Sequence, residues 1–390
     1  MSESRRLDAD RLVAALHDAR QLTLASSMDL DDARWMVPYA VEIQPVAWDL
    51  AHIGWFAEFW LLRGPHRLGR DGLQNAAAPP RWFGPDEHYD SAQIAHRNRW
   101  RIELLSREQL QERLAAQLAA VQTHIAANAG DPDTRYFAHL SLFHELMHVE
   151  ALAWTRNSLQ YPAPPGVTMP RVPKAEQIAV SREEHDVGTD PITDFAFDNE
   201  MPRHRVHHDA FSIDSQPVRN DAFAAFVDDD GYSRAEFWPS WWLASRDHRT
   251  MPARWRRAED GSFEHRHYDR WSPLPPDEPV VHVNALEAEA YCRWAKRRLP
   301  EAWEWEIAAG YGMQWGHSVW EWTATTFAPY GFGFRPGPYT TYSAPWFHHQ
   351  REVRGGAYTT HALMHDRRYR NFFLAHRTDV FTGFRTAADA

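Results

Sequence analysis

The chain has 390 residues, with 42 Lys and Arg against 53 Asp and Glu for a formal charge of −11, and 44% of its residues are hydrophobic. An acidic chain without a basic stripe is poorly suited to nucleic acid or anionic lipid. A single cysteine excludes an intramolecular disulfide framework, a zinc ribbon and a CxxC redox pair.

At roughly 150 residues per domain, the length suggests two or three domains. The polar start MSESRRLDAD lacks an apolar signal region, and no apolar run approaches the roughly 18 residues of a membrane span. The expectation is a cytoplasmic globular protein with no nucleic-acid or membrane partner; oligomeric state stays open. Lys174 and Lys296 are the only lysines, while Trp reaches 19 and His 23. Aromatic faces attract quaternary ammonium groups, and histidine is the commonest ligand for borderline metals.

Residues 1–160 read as helical. The stretch Asp10 to Met28 is rich in Ala and Leu and holds neither Gly nor Pro. From Pro45 to Leu62, Trp48, Trp55, Phe59 and Leu62 trace one helix face, with Pro45 suited to the first turn. A Leu/Ala/Gln/Glu pattern runs from about Trp100 to Ala127, and Asp133 is placed to cap a helix reaching about Leu159. Four long helices predict a four-helix bundle. Prolines 162, 164, 165, 170 and 173 then make residues 161–180 an extended linker. Residues 181–390 read as an irregular α+β domain of short strands and loops, with helices at about Asn284–Arg297 and Pro300–Ala309.

Residues 143–150 read FHELMHVE. On a helix, His144 and His148 share one face with Phe137, Leu140, Met147, Ala151 and Thr155, so both imidazoles point into the bundle. Two imidazoles need at least a third ligand. His52, between Trp48 and Trp55 on its own apolar stripe, supplies one, for a facial three-nitrogen site. Single inward histidines are usually hydrogen-bonded core residues, so the convergence of all three matters more than any one of them. Glu150, roughly 200° round the helix from His148, is expected as a surface or outer partner. Asp49 is expected to point off the stripe. HELMH also satisfies HExxH literally, which leaves a zinc-protease reading with Glu145 as general base; the distant His52 fits an oxygenase-type site better.

PVAWDLAHIGWFAEFWLL with FHELMHVEAL resembles the DinB-like N-terminal bundle of the ergothioneine-type sulfoxide synthases. FSIDSQPVRNDAFAAF, PVVHVNALEAEAYCRWAKRRLPEAWEWEIAA, VWEWTATTFAPY, VRGGAYTTH and YRNFFLAHRTDVFTGFRTA resemble their formylglycine-generating-enzyme-like domain, which has a C-type-lectin-like core. Within that family the chain most resembles the selenoneine-synthase branch. The resemblance implies Fe(II) on His52, His144 and His148. It implies O2 as co-substrate, hercynine as acceptor, and a carbon–chalcogen bond formed at the imidazole C2. It matches the family's Y-x-x-Y pair to Tyr339, as proton or electron donor, and Tyr342, lining the substrate pocket. It also matches Asn371 to the carboxylate of hercynine and Phe372 to its trimethylammonium group.

Three departures bear on the donor. Met147 stands where several thiol-using relatives carry Gln. Phe373 stands where some relatives carry an acid that holds the amino group of a cysteine-type donor. Arg97, Arg99 and Arg101 give no clear match to the arginines that hold a γ-glutamyl group. The reading is therefore an Fe(II)- and O2-dependent enzyme that joins selenium from a seleno-sugar to hercynine. Cysteine or γ-glutamylcysteine as sulfur donor is the alternative, and a non-catalytic lectin-like binding protein is a further one. A formylglycine-generating oxidase needs a reactive cysteine pair, and Cys292 stands alone.

Overall fold

A computed structural model describes residues 3–190, 194–244 and 249–390. They form two compact units. The first comprises the residues up to Pro165 together with 194–195 and Pro336–Tyr342; the second comprises Gly166–Asp190, Ala196–Arg335 and Ser343–Ala390.

Four long helices build the first unit: α1 (Ala9–Ala25), α2 (Val46–Leu62), α3 (Arg107–Ala127) and α4 (Pro132–Ser158). Side chains that satisfy free N–H groups fix where they begin. Asp8 accepts from the Arg11 amide at 2.9 Å. Ser106 and Gln109 form a reciprocal capping box, so α3 starts at Arg107 and not near Trp100. Asp131, not Asp133, caps α4, because Pro132 suits the first helical position and Asp131 accepts from the Thr134 amide at 2.8 Å. Pro45 stands just before α2 as its N-cap residue.

The helix α2 is buried from Val46 through Leu61, so it runs through the middle of the bundle, packed on α3 and α4. Gly54 permits that packing. A Cβ there would overlap the Phe83 ring and come within 2.9 Å of Leu114 Cδ2. After α2, a small antiparallel hairpin pairs β1 (His66–Leu68) with β2 (Gln74–Ala76). It carries the segment Pro336–Tyr342: Gln74 Nε2 donates to the Pro338 carbonyl at 3.1 Å, and Thr340 Oγ1 to that of Gly72 at 3.4 Å. The sequence places that segment with the second domain. Its contacts group it with the helical unit.

The second unit is a set of small sheets whose longer helices, among the described residues, are α5 (Asn220–Asp228), α6 (Ala285–Trp294) and α7 (Ala302–Ala308). Strand β3 (Gln177–Val180) pairs with β6 (Phe211–Asp214), Ile178 opposite Ile213, and β14 (Ala387–Asp389) lies on the other side of β6. The predicted linker therefore ends early, since its last four residues are a strand. Strands β4 (Glu183–Val187) and β5 (His204–His208) form a hairpin, and β7 (Trp255–Arg257), β8 (Phe263–His267) and β9 (Arg270–Pro273) form a meander. A mixed sheet runs in the order β12 (Asn371–Phe373), β11 (Arg351–Arg354), β10 (Trp320–Thr326), β13 (Thr382–Gly383), and its last pair is parallel.

Val180, Val187, Phe211, Ile213, Trp305, Ile307 and Met313 are part of the core. The Arg of VRGGAY closes a buried ionic network. Arg354 Nε donates to Glu352 at 2.7 Å and Nη2 to the Tyr330 hydroxyl at 2.8 Å, while Glu306 lies 3.1 Å from Nη1. Gly355 and Gly356 take φ values of +99° and +104°, which side-chain-bearing residues rarely adopt.

Candidate metal centre

Position 52 on α2 and positions 144 and 148 on α4 bring three imidazoles together, with one ligand atom from each within 4.8 Å of the others. His52 Nε2 and His144 Nε2 are 3.1 Å apart. The ring centroids of His144 and His148 lie 4.5 Å apart, and each lies 4.9 Å from that of His52. The pair on α4 shares a face because four residues advance the helix by about one turn.

Aromatic rings fix the planes. His52 stacks on Trp48 at 4.8 Å and 11°, and near Trp55 at 5.8 Å and 19°. His144 lies flat on Phe56 at 3.6 Å and 8°. Hydrogen bonds fix the tautomers of two rings. His52 Nδ1 donates to the Tyr89 carbonyl at 2.6 Å, which leaves its Nε2 with a lone pair. His148 Nδ1 meets Asp49 Oδ1 at 2.9 Å. Burial, together with the neighbouring imidazoles, pushes His52 and His144 well below the usual histidine range. These rings are neutral, the form that binds metal.

Asp49 is thus a partner of His148, contrary to the expectation that it points off the stripe. It is three residues from His52, roughly 60° round the helix, which puts it beside the histidine face. That spacing was the readable signal. No sequence pattern pointed to the Tyr89 carbonyl or to Phe56. Glu150 is buried, so it is not a surface group.

Tyr339 and Tyr342 belong to the same unit as the triad, their rings 6.0 Å apart. Tyr339 sets its ring edge against Phe56 at 5.2 Å. One phenyl group therefore touches both His144 and Tyr339. Burial raises the Tyr339 phenol above its ordinary range, and Asp90 adds to this; hydrogen bonds with Ser91 and Thr341 and the charge of Arg99 pull the other way. Met147 is half-buried on α4. Arg99 is buried, stacked over Trp48 at 4.1 Å, and donates to Gln44 at 2.7 Å.

In the second unit, Asn371 Oδ1 accepts from the Phe372 amide at 2.8 Å. Phe372 stacks on Phe327 at 4.1 Å, and buried Phe373 lies 5.2 Å beneath the Arg377 guanidinium. Cys292 is buried in α6, which pushes its thiol up and makes it unreactive. Among the described residues no helix is long and apolar enough to cross a membrane.

Residues 11–155 match the DinB superfamily, and residues 167–318 match the sulfatase-modifying factor enzyme 1-like domain. The hercynine oxygenase of Mycobacterium tuberculosis is 30% identical over 97% of this chain and 99% of its own length. That of Mycolicibacterium thermoresistibile is 30% identical over 97% and 94%. The formylglycine-generating enzyme of Bos taurus is 30% identical over only 38% of this chain and 44% of its own.

A helical bundle with an inward histidine triad, followed by a sulfatase-modifying-factor-like domain, defines a two-domain enzyme of the oxygenase class. The similarity over nearly the full length then identifies its family. The chain belongs to the hercynine oxygenases, the ergothioneine-type sulfoxide synthases. Membership in an enzyme family sets aside the binding-only reading.

Proposed function

We propose that this chain joins a chalcogen to the imidazole C2 of hercynine at an Fe(II) centre held by His52, His144 and His148, with O2 as oxidant and a seleno-sugar as donor. The observation that carries the metal assignment is the convergence of three imidazole nitrogens within 4.8 Å of one another, two of the rings with their Nδ1 atoms anchored. Three imidazoles suit Fe(II) and leave positions open for substrates. When bound, iron gathers the reactants and activates O2.

The stoichiometry is four electrons per O2. Formation of the carbon–chalcogen bond releases two, and oxidation of the chalcogen releases two more. One oxygen atom stays on the chalcogen and the other leaves as water. The protein's contribution is placement and protons. Tyr339 is the proposed proton source, since a phenol is protonated and uncharged at pH 7 until it donates. Its contact with Phe56 ties its ring to that of His144. Tyr342 is proposed to line the pocket and Asn371 to meet the carboxylate of hercynine. Phe372 is proposed to face the trimethylammonium group.

The donor assignment rests on what the chain lacks for an amino-acid thiol. Met147 offers no amide. Phe373 is buried beneath Arg377, so no carboxylate stands two residues after Asn371 to hold an ammonium group. A donor without amino-acid charges tolerates both changes. Sulfur transfer from cysteine or γ-glutamylcysteine is the second reading, favoured by the similarity to hercynine oxygenases over nearly the whole chain.

A donor competition tests the choice. Fe(II)-loaded protein with hercynine and O2 is offered cysteine, γ-glutamylcysteine and a 1-seleno-sugar together, with products identified by mass spectrometry. The expected product carries selenium. Preference for either thiol overturns the donor assignment and leaves the metal assignment standing.

A further inference from the structure

The three imidazoles are backed in three different ways. His52 Nδ1 donates to a neutral carbonyl, that of Tyr89, at 2.6 Å. His148 Nδ1 faces a carboxylate, that of Asp49, at 2.9 Å. Among the described residues, His144 Nδ1 is buried without a hydrogen-bond partner, and the ring is held by the face of Phe56.

These backings are not equivalent. When Nε2 binds a cation, positive charge spreads onto the ring and its Nδ1–H becomes a stronger donor. A carboxylate behind that N–H offsets the charge most and a carbonyl less. A hydrocarbon wall offsets almost none of it. Asp49 is 2% exposed, so water screens little of its effect. The Arg99 guanidinium interacts with Asp49 electrostatically, which keeps this carboxylate from standing as an isolated buried charge.

We propose that Asp49 is the positioning residue of the metal centre. Its carboxylate commits His148 to binding through Nε2 and offsets part of the metal's charge. That makes His148 the firmest of the three ligands and His144 the weakest. The inference rests on the metal-centre reading above and is independent of which chalcogen donor the enzyme uses.

The test is metal binding to the full-length apoprotein, with no turnover needed. Anaerobic Fe(II) titrations give dissociation constants, and Co(II) loading gives a ligand-field spectrum. Asp49→Asn keeps an acceptor for His148 but removes the charge; Asp49→Ala removes both. Asp49→Asn is expected to weaken Fe(II) binding by about 10- to 100-fold and to shift the Co(II) bands. Asp49→Glu, which keeps the charge, is expected to recover most of the affinity. His148→Ala is expected to lose more Fe(II) affinity than His144→Ala.

A carboxylate that only supports the first turn of α2 would instead lower the melting temperature of the apoprotein and leave the Co(II) spectrum of loaded protein unchanged; that result overturns the proposal. Wild-type Fe(II) affinity in Asp49→Asn overturns it as well. Unchanged metal binding in all three His→Ala variants would fail the metal-centre reading itself, a different and recognisable result.

Discussion

Glu145 follows His144 directly in the chain, yet its carboxylate closes on Arg20, whose Nε donates to Oε1 at 2.7 Å. Nη2 of the same guanidinium reaches the other oxygen at 3.2 Å, and the Thr23 hydroxyl donates at 2.9 Å. Both ionic side chains are almost fully buried. The Glu of HELMH therefore ties α4 to α1 and is not a free general base, which removes the zinc-protease reading.

Loss of one partner from such a pair strands the other charge and costs about 3–5 kcal/mol. Glu145→Gln is expected to lower the denaturant midpoint strongly while keeping the iron stoichiometry of the folded protein. Unfolding curves and elemental analysis check both. A variant of normal stability that no longer holds metal would return Glu145 to the site.

Replacing His52, His144 or His148 by Ala is expected to cut iron content and abolish turnover. Iron content of each purified variant decides ligand by ligand. A histidine whose loss leaves the metal in place drops out of the set.

Tyr339→Phe is expected to leave hercynine affinity near wild type and to slow coupling at least tenfold, or divert O2 to oxidation of the donor alone. Binding isotherms and product analysis separate the two effects. Wild-type rate and products would make the phenol a bystander.

His139 is 1% exposed, its Nδ1 2.9 Å from the Arg135 carbonyl, and burial lowers its pKa to about 4. Its reference value is 6.5, so the folded state binds the proton less readily than the unfolded state. The stability it contributes is present above pH 6.5 and is lost as pH falls toward 4. The full window is worth up to about 3 kcal/mol. His139→Gln is expected to flatten that acid limb in unfolding experiments at pH 7.5 and 4.5, and an unchanged pH dependence would refute this.

Gly54→Ala raises the intrinsic helix propensity of α2 by about 1 kcal/mol. The overlap with Phe83 and Leu114 is expected to outweigh that gain, since overpacking costs about 1–3 kcal/mol. A lower melting temperature is the expected result. A higher one would show that α2 moves freely enough to absorb the methyl group.

Much of this was legible along the chain. Periodic apolar residues on two segments marked α2 and α4, and His52, His144 and His148 fell on their inward stripes because helical spacing alone puts them there. Two helix starts differ from what local spacing suggests: α3 begins after the Ser106–Gln109 capping box, and α4 after Asp131, where Pro132 decides the cap.

Contacts between distant residues were not legible, because local spacing says which face a side chain occupies and nothing about what meets it. Asp49 meets His148 across 99 positions, and Arg20 meets Glu145 across 125. Pro336–Tyr342 joins the helical unit through Gln74 and Thr340 side chains that donate to backbone carbonyls, and a carbonyl partner leaves no mark in the sequence. Periodicity is a short-range property and survives in a linear string. Pairing of buried charges and carbonyls depends on chain closure, which only the packed helices impose.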